Sequence, residues 1–163
     1  MTSFIRGGRI SKASGVLGTA LKICPLMNVD NTGHLIPREK IRTKKRAIAQ
    51  MVKTCMEHID DGAAYTGKVC MSQSACRADA EAVADALVEQ MPQLAGKIDI
   101  NDIGTVIGSH TGPGTVALFF MGDARVDRYG AFLHLSSMQE KAHRYRLWCR
   151  CAFVYAGLRC AVG

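Results

Sequence analysis

The sequence predicts an α/β domain with a mixed β-sheet. Two long stretches with apolar stripes at helical spacing, Thr43 to Ile59 and Ala75 to Met91, alternate with short apolar runs of strand character. Two of those runs flank a turn at Asp30–Gly33 and read as a hairpin, which adds antiparallel pairing to the alternation. The chain has 163 residues, 48% apolar and 21% charged, enough for one sizeable core and too apolar for a disordered chain.

Ser11 is a candidate N-cap, because its hydroxyl can accept a free amide of the first helical turn. After it Ala13, Val16, Leu17, Ala20 and Leu21 recur at helical spacing. Gly15 and Gly18 weaken that helix but let another backbone or a ligand approach. Ile23 to Val29 reads as a strand, with Pro25 placing it at an edge or near its start. Asn31 and Gly33 tolerate positive φ, and His34 to Pro37 return as the second arm. In the helix over Thr43 to Ile59, Ile48, Met51, Val52, Cys55, Met56 and Ile59 form the apolar stripe. Its opening carries Arg42, Lys44, Lys45 and Arg46, which oppose the helix dipole and suit an acidic partner, a bound anion or a solvated face. Lys68 to Ser72 is the next strand. In the helix that follows, Ala80, Val83, Ala84, Leu87, Val88 and Met91 face one way, and Pro92 and Gly96 end it. Ile98, Ile100, Ile103, Val106 and Ile107 then lead as an apolar strand into Gly108–Gly114, and Thr115 to Met121 is a further strand.

Gly108-Ser109-His110-Thr111-Gly112-Pro113-Gly114 is the sharpest local feature. Between two apolar strands it forms a loop at a sheet edge, where glycines let a ligand approach the backbone. The His110 imidazole and Thr111 hydroxyl suit a small anion such as a carboxylate. A tight connection with an incidental histidine fits the spacing equally well. Gly7-Gly8-Arg9 precedes the first helix and also suits an anion, although an ordinary cap with a surface arginine has the same pattern.

Other chemistries find little support. No cysteine pair has the two-residue gap of a zinc knuckle or a redox pair, so the expectation is no metal and no cofactor. Cys24, Cys55 and Cys70 fall on apolar faces and read as packing residues. Ser72 and Ser74 flank Gln73, yet no base is placed to activate either serine, and no catalytic residue is assigned. No apolar run is longer than Val116 to Met121, which is far short of the roughly 20 residues of a membrane span. Seven cysteines and a start without an apolar signal core lead to the expectation of a cytoplasmic protein.

The net charge of +7 divides unevenly. Residues 1–126 hold 15 basic and 12 acidic side chains, a net of +3, and residues 127–163 hold 6 and 2, a net of +4. The last segment also holds Trp148 and three of the four tyrosines.

Gly7-Gly8-Arg9-Ile10-Ser11-Lys12-Ala13, Ile23-Cys24-Pro25-Leu26, Lys40-Ile41-Arg42-Thr43-Lys44-Lys45-Arg46-Ala47 and Ile107–Gly114 together resemble the DegV family. Its members are bacterial fatty-acid-binding proteins that present an acyl chain to a fatty acid kinase. Four motifs in family order cover residues 5–125, and Ala117 to Asp123 resembles the family's last strand. The resemblance covers only the family's C-terminal domain. Nothing in the sequence matches the preceding α/β domain, whose threonine and serine bind the carboxylate.

The resemblance implies a two-layer sandwich over residues 1–125, packed helices on a mixed β-sheet. It implies a lipid-binding module rather than an enzyme, a truncated form of the longer family member, with long-chain fatty acid and a fatty acid kinase as partners. His110 would reach the carboxylate, Thr111 and Gly114 would shape the loop, and Arg9 would lie near the domain junction. Arg42 and Lys45 would face the kinase. Ile10, Leu17, Leu26, Ile107 and Phe119 are candidates to line the acyl chain. Residues 126–163 depart from the family. Their composition looks like read-through or a shifted frame, and the expectation is poor order or a loosely packed helix around Gln139 to Ala156. The alternative is a basic-aromatic appendage for nucleic acid or a membrane surface. The charge division argues against nucleic acid and for an anionic head group with an acidic protein partner.

Overall fold

A computed structural model describes residues 23–29 and 35–122, and the backbone of residues 151–156. Strand β1 (Cys24–Val29) pairs antiparallel with β2 (Leu35–Ile41), from Cys24 opposite Ile41 to Val29 opposite Leu35. The hairpin expectation therefore holds, while its turn lies outside the described residues. Leu26 faces Glu39 and Met27 faces Pro37, so Arg38 is an extra residue in the ladder, and its Nε donates to Asn28 Oδ1 at 2.8 Å. Pro37 is tolerated because β2 is an edge strand. Pro25 is the second residue of β1, just outside the Leu26–Asn28 run that pairs on the strand's other side.

Helix α1 (Lys44–His58) begins where Thr43 Oγ1 accepts the Arg46 amide at 3.3 Å. Of the expected stripe Met51, Val52 and Cys55 are buried, Ile59 is buried just past the helix end, and Ile48 and Met56 pack partly buried against the same core; Ala47 is buried as well. Its basic start is partly answered by Lys44, whose Nζ lies 2.9 Å from Asp79 Oδ2 on the next helix. Strand β3 (Val69–Ser74), helix α2 (Arg77–Gln90) and strand β4 (Ile98–Asp102) form a crossover unit, and β3 and β4 run parallel from Val69 opposite Ile98 to Gln73 opposite Asp102. Ala80, Val83 and Leu87 of α2 are buried, with Met91 just beyond it.

The chain after β4 differs from the sequence expectation. Instead of a strand running to Ile107, Thr105–Thr111 forms a short helix, α3. The register explains the change: Asp102 is opposite Gln73, one residue before β3 ends, so a longer β4 would have almost nothing to pair with. Strand β5 (Thr115–Phe120) then returns antiparallel to β3.

The sheet order is β2-β1-β6-β5-β3-β4, a mixed sheet as expected. Strand β6 (Cys151–Ala156) comes from the segment expected to be helical or disordered, and it lies between β1 and β5, antiparallel to both. The physical reason is pairing. Without β6, β1 and β5 each present a row of unsatisfied backbone groups. A continuous apolar run such as Cys151 to Ala156 suits a strand with neighbours on both sides. The rest of 126–163 lies outside the described residues.

Helices α1 and α2 pack on one face of the sheet, against Leu26, Met71, Leu118 and Phe120, all nearly or fully buried. The other face carries Met27 and Ala117, with Leu35 and Phe119 packed against them. Each large apolar side chain so buried contributes about 1.5–3 kcal/mol. Among the described residues no helix is long and apolar enough to cross a membrane.

Candidate functional site

Parallel strands β3 and β4 end together, and the chain that follows folds back over that end. Ligands of α/β sheets gather outside the carboxyl ends of parallel strands. Here the Gly114 amide donates to the Ser74 carbonyl at 2.7 Å, fixing the His110–Gly114 segment beside the end of β3. A Cβ on Gly108 would lie 3.1 Å from Ile103 Cγ2 and 4.0 Å from Ser74 Oγ, so the glycine seats α3 close to the strand ends. Gly112 and Gly114 have φ of 78° and 85°, in the left-handed range that favours glycine.

His110 and Thr111 are thus the last turn of a helix rather than part of a loop, which corrects the sequence reading. The signal was present: a histidine in the last turn followed by glycine at the cap is an ordinary helix ending. Gly112 closes it by donating to Gly108 O at 2.7 Å.

Thr111 is only 7% exposed, and its Oγ1 has no hydrogen-bond partner among the described residues. Burying such a hydroxyl unpaired costs about 1–3 kcal/mol. His110, half-buried, adjoins it. The neighbouring polar atoms are committed. Thr115 Oγ1 donates to Gly112 O at 3.1 Å, Ser109 Oγ to Val106 O at 2.7 Å, and Cys76 Sγ to Thr115 O at 3.3 Å. Burial pushes the Cys76 thiol up from its ordinary range, so it is held protonated. Asp102, at the end of β4, accepts from Gln73 Nε2. The end of α3 thus carries an imidazole and, next in sequence, a buried unpaired hydroxyl, both of them groups that can donate to a carboxylate.

The basic segment lies at the same end of the sheet. Lys44 and Asp79 are close enough to act on the Cys76 thiol in opposite directions, which ties the start of α1 to the start of α2 and so to the end of β3. Arg42 and Lys45 are exposed there.

The acyl-lining candidates do not converge. Leu26 is sealed in the core under α1 and α2, Phe119 faces the opposite side of the sheet, and Ile107 is 50% exposed on α3. These three cannot line one channel, because strand alternation sends Leu26 and Phe119 to opposite faces. Arg9, Ile10 and Leu17 lie outside the described residues. Sequence reasoning missed Gln73, which is 5% exposed and joins the ends of β3, β4 and α2. Only its place between two serines at a strand end marked it. Among the described residues no three His, Cys, Asp or Glu side chains gather as a metal site.

A family model described as "Uncharacterised protein, DegV family" matches residues 1–123. A DegV domain-containing protein of Clostridium perfringens is 36% identical over 120 residues, 74% of this chain and 40% of that protein. The solved DegV family protein of Corynebacterium glutamicum superimposes with a TM-score of 0.61 at 25% identity, over 76% of this chain and 46% of that one. The Streptococcus pneumoniae Fatty Acid Kinase (Fak) B3 protein, solved loaded with linoleic acid, shares the fold with a TM-score of 0.59 at 22% identity, over 71% and 38% of the two chains. The chain thus spans less than half the length of each of these relatives.

Proposed function

The chain belongs to the DegV family, and from that membership we propose that it is a fatty-acid-binding module whose His110 and Thr111 receive the acyl carboxylate. The observation that carries this reading is the buried, unpartnered Thr111 hydroxyl beside His110, at the end of two parallel strands. Linoleic acid in the pneumococcal relative supports the ligand class. An acyl chain gains roughly 0.8 kcal/mol for each methylene removed from water. Its carboxylate needs donors wherever water is excluded.

The module carries its ligand rather than transforming it. The described groups around the site supply hydrogen bonds but no nucleophile held by a base. A fatty acid kinase acting in the cytoplasm is the protein partner in this reading. The exposed Arg42 and Lys45, at the same end of the sheet as His110, suit an acidic surface or the phosphate that a kinase transfers. Because the chain corresponds to a part of its relatives, further carboxylate donors come from the portion those proteins have beyond the match.

The test is extraction of the purified protein with organic solvent, followed by mass spectrometry. Long-chain fatty acid is expected, in amounts reduced by Thr111→Val. No fatty acid from this chain, nor from the chain joined to the unmatched portion of a DegV relative, would overturn the proposal.

A further inference from the structure

We infer that Gln73 is a positioning residue for the His110–Gly114 segment, acting by holding Ala75 in a left-handed backbone conformation. The inference rests on the site proposed above but concerns a residue that does not face the ligand.

Ala75 has φ of 51°, in the range that residues with a Cβ rarely adopt. It directly follows the end of β3 at Ser74, and only Cys76 separates it from the start of α2 at Arg77. Gln73 spans it: the buried side-chain Oε1 accepts the Cys76 amide at 2.7 Å. The Gln73 side-chain Nε2 donates to Asp102 Oδ1 at the end of β4. One side chain thus closes the turn and anchors it to the neighbouring strand.

The two residues flanking Ala75 then hold the ligand segment. The Ser74 carbonyl accepts the Gly114 amide at 2.7 Å, and Cys76 Sγ donates to the Thr115 carbonyl at 3.3 Å. Thr115 Oγ1 in turn donates to the Gly112 carbonyl, directly after Thr111. If Ala75 relaxed to an ordinary φ, Ser74 O and Cys76 Sγ would no longer aim at Gly114 and Thr115 together. Strained backbone of this kind persists only where its surroundings over-determine it, and Gln73 is the group that does so here.

The test uses the full chain, linoleic acid as the probe, and amide exchange at Gly114 as a readout independent of the ligand. Gln73→Met keeps the volume and removes both hydrogen bonds. It is expected to weaken linoleic acid binding about tenfold or more and to accelerate Gly114 exchange. Adding Ala75→Gly is expected to restore most of both, because glycine adopts the left-handed conformation without a clamp. Wild-type affinity and exchange in Gln73→Met would overturn the inference, as would a double variant no better than the single one. A fall in melting temperature with affinity unchanged would make Gln73 merely structural and overturn it too. If Gln73→Met fails to fold, Ala75→Val strains the turn directly: faster Gly114 exchange with weaker binding supports the inference, and unchanged values overturn it. Should neither the wild-type chain nor the chain joined to the unmatched portion of a DegV relative bind linoleic acid, the proposed function fails, and Gly114 exchange in the variants still decides the role of Gln73.

Discussion

Thr111 and His110 occupy the last turn of α3, and the Thr111 side chain is the more informative of the two. A buried hydroxyl without a partner destabilises the unliganded fold, so Thr111→Val, nearly isosteric, is expected to leave its melting temperature unchanged or raised. The same substitution is expected to weaken fatty acid binding by about tenfold or more, since a hydrogen bond to a charged group contributes about 1.5–3 kcal/mol. Melting curves and titrations of the one variant check both. Cys76 offers a pH prediction. Burial raises its thiol, so the folded state keeps a proton that the unfolded chain releases above about pH 8.5. Stability contributed by the neutral thiol is therefore present below that pH and declines as pH rises past it. Iodoacetamide at neutral pH should label Cys76 slowly, and rapid labelling read by peptide mass spectrometry would contradict this. Much of this site was legible in the residues: His110 and the paired glycines stood out as a motif. Gln73 was not, because Asp102 is brought to it by the fold from 29 residues away, and its local partner, the Cys76 amide three residues on, leaves no mark in the residue types.

Helices α1 and α2 were legible because their apolar stripes repeat over several turns and their ends carry ordinary signals. Thr43 caps α1 through its hydroxyl, and Thr43→Ala is expected to cost about 1 kcal/mol, read by chemical denaturation. Helix α3 was not legible. Ile98 and Ile100 alternate like a strand and apolar residues continue through Ile103, Val106 and Ile107, so only the pairing register at Gln73 and Asp102 marks where that strand ends. Strand β6 was hidden for a related reason. The composition around Cys151 to Ala156 is basic and aromatic, and the demand for a strand there arises from β1 and β5, more than a hundred and about thirty residues away. Local pattern carries no record of an edge left open elsewhere.

At the scale of the whole molecule, the sheet joins the basic start of α1, the strand ends and the α3 turn at one end, with the helical core behind them. Val154→Pro removes a backbone donor from a central strand, where proline is not accommodated. It is expected to abolish the cooperative melting transition, and an unchanged transition would place residues 151–156 outside the sheet. Leu118→Ala, within the core beneath α1 and α2, is expected to cost about 2–5 kcal/mol by denaturation. The central claim is that a fatty acid carboxylate lies against His110 and Thr111. Its most direct test is the carboxyl carbon resonance of 13C-labelled linoleic acid added to the protein. The account predicts a bound resonance distinct from that of the free acid and lost or shifted in Thr111→Val and His110→Ala. A spectrum showing only the free acid, both for this chain and for the chain joined to the unmatched portion of a DegV relative, or a bound resonance indifferent to both substitutions, would contradict it.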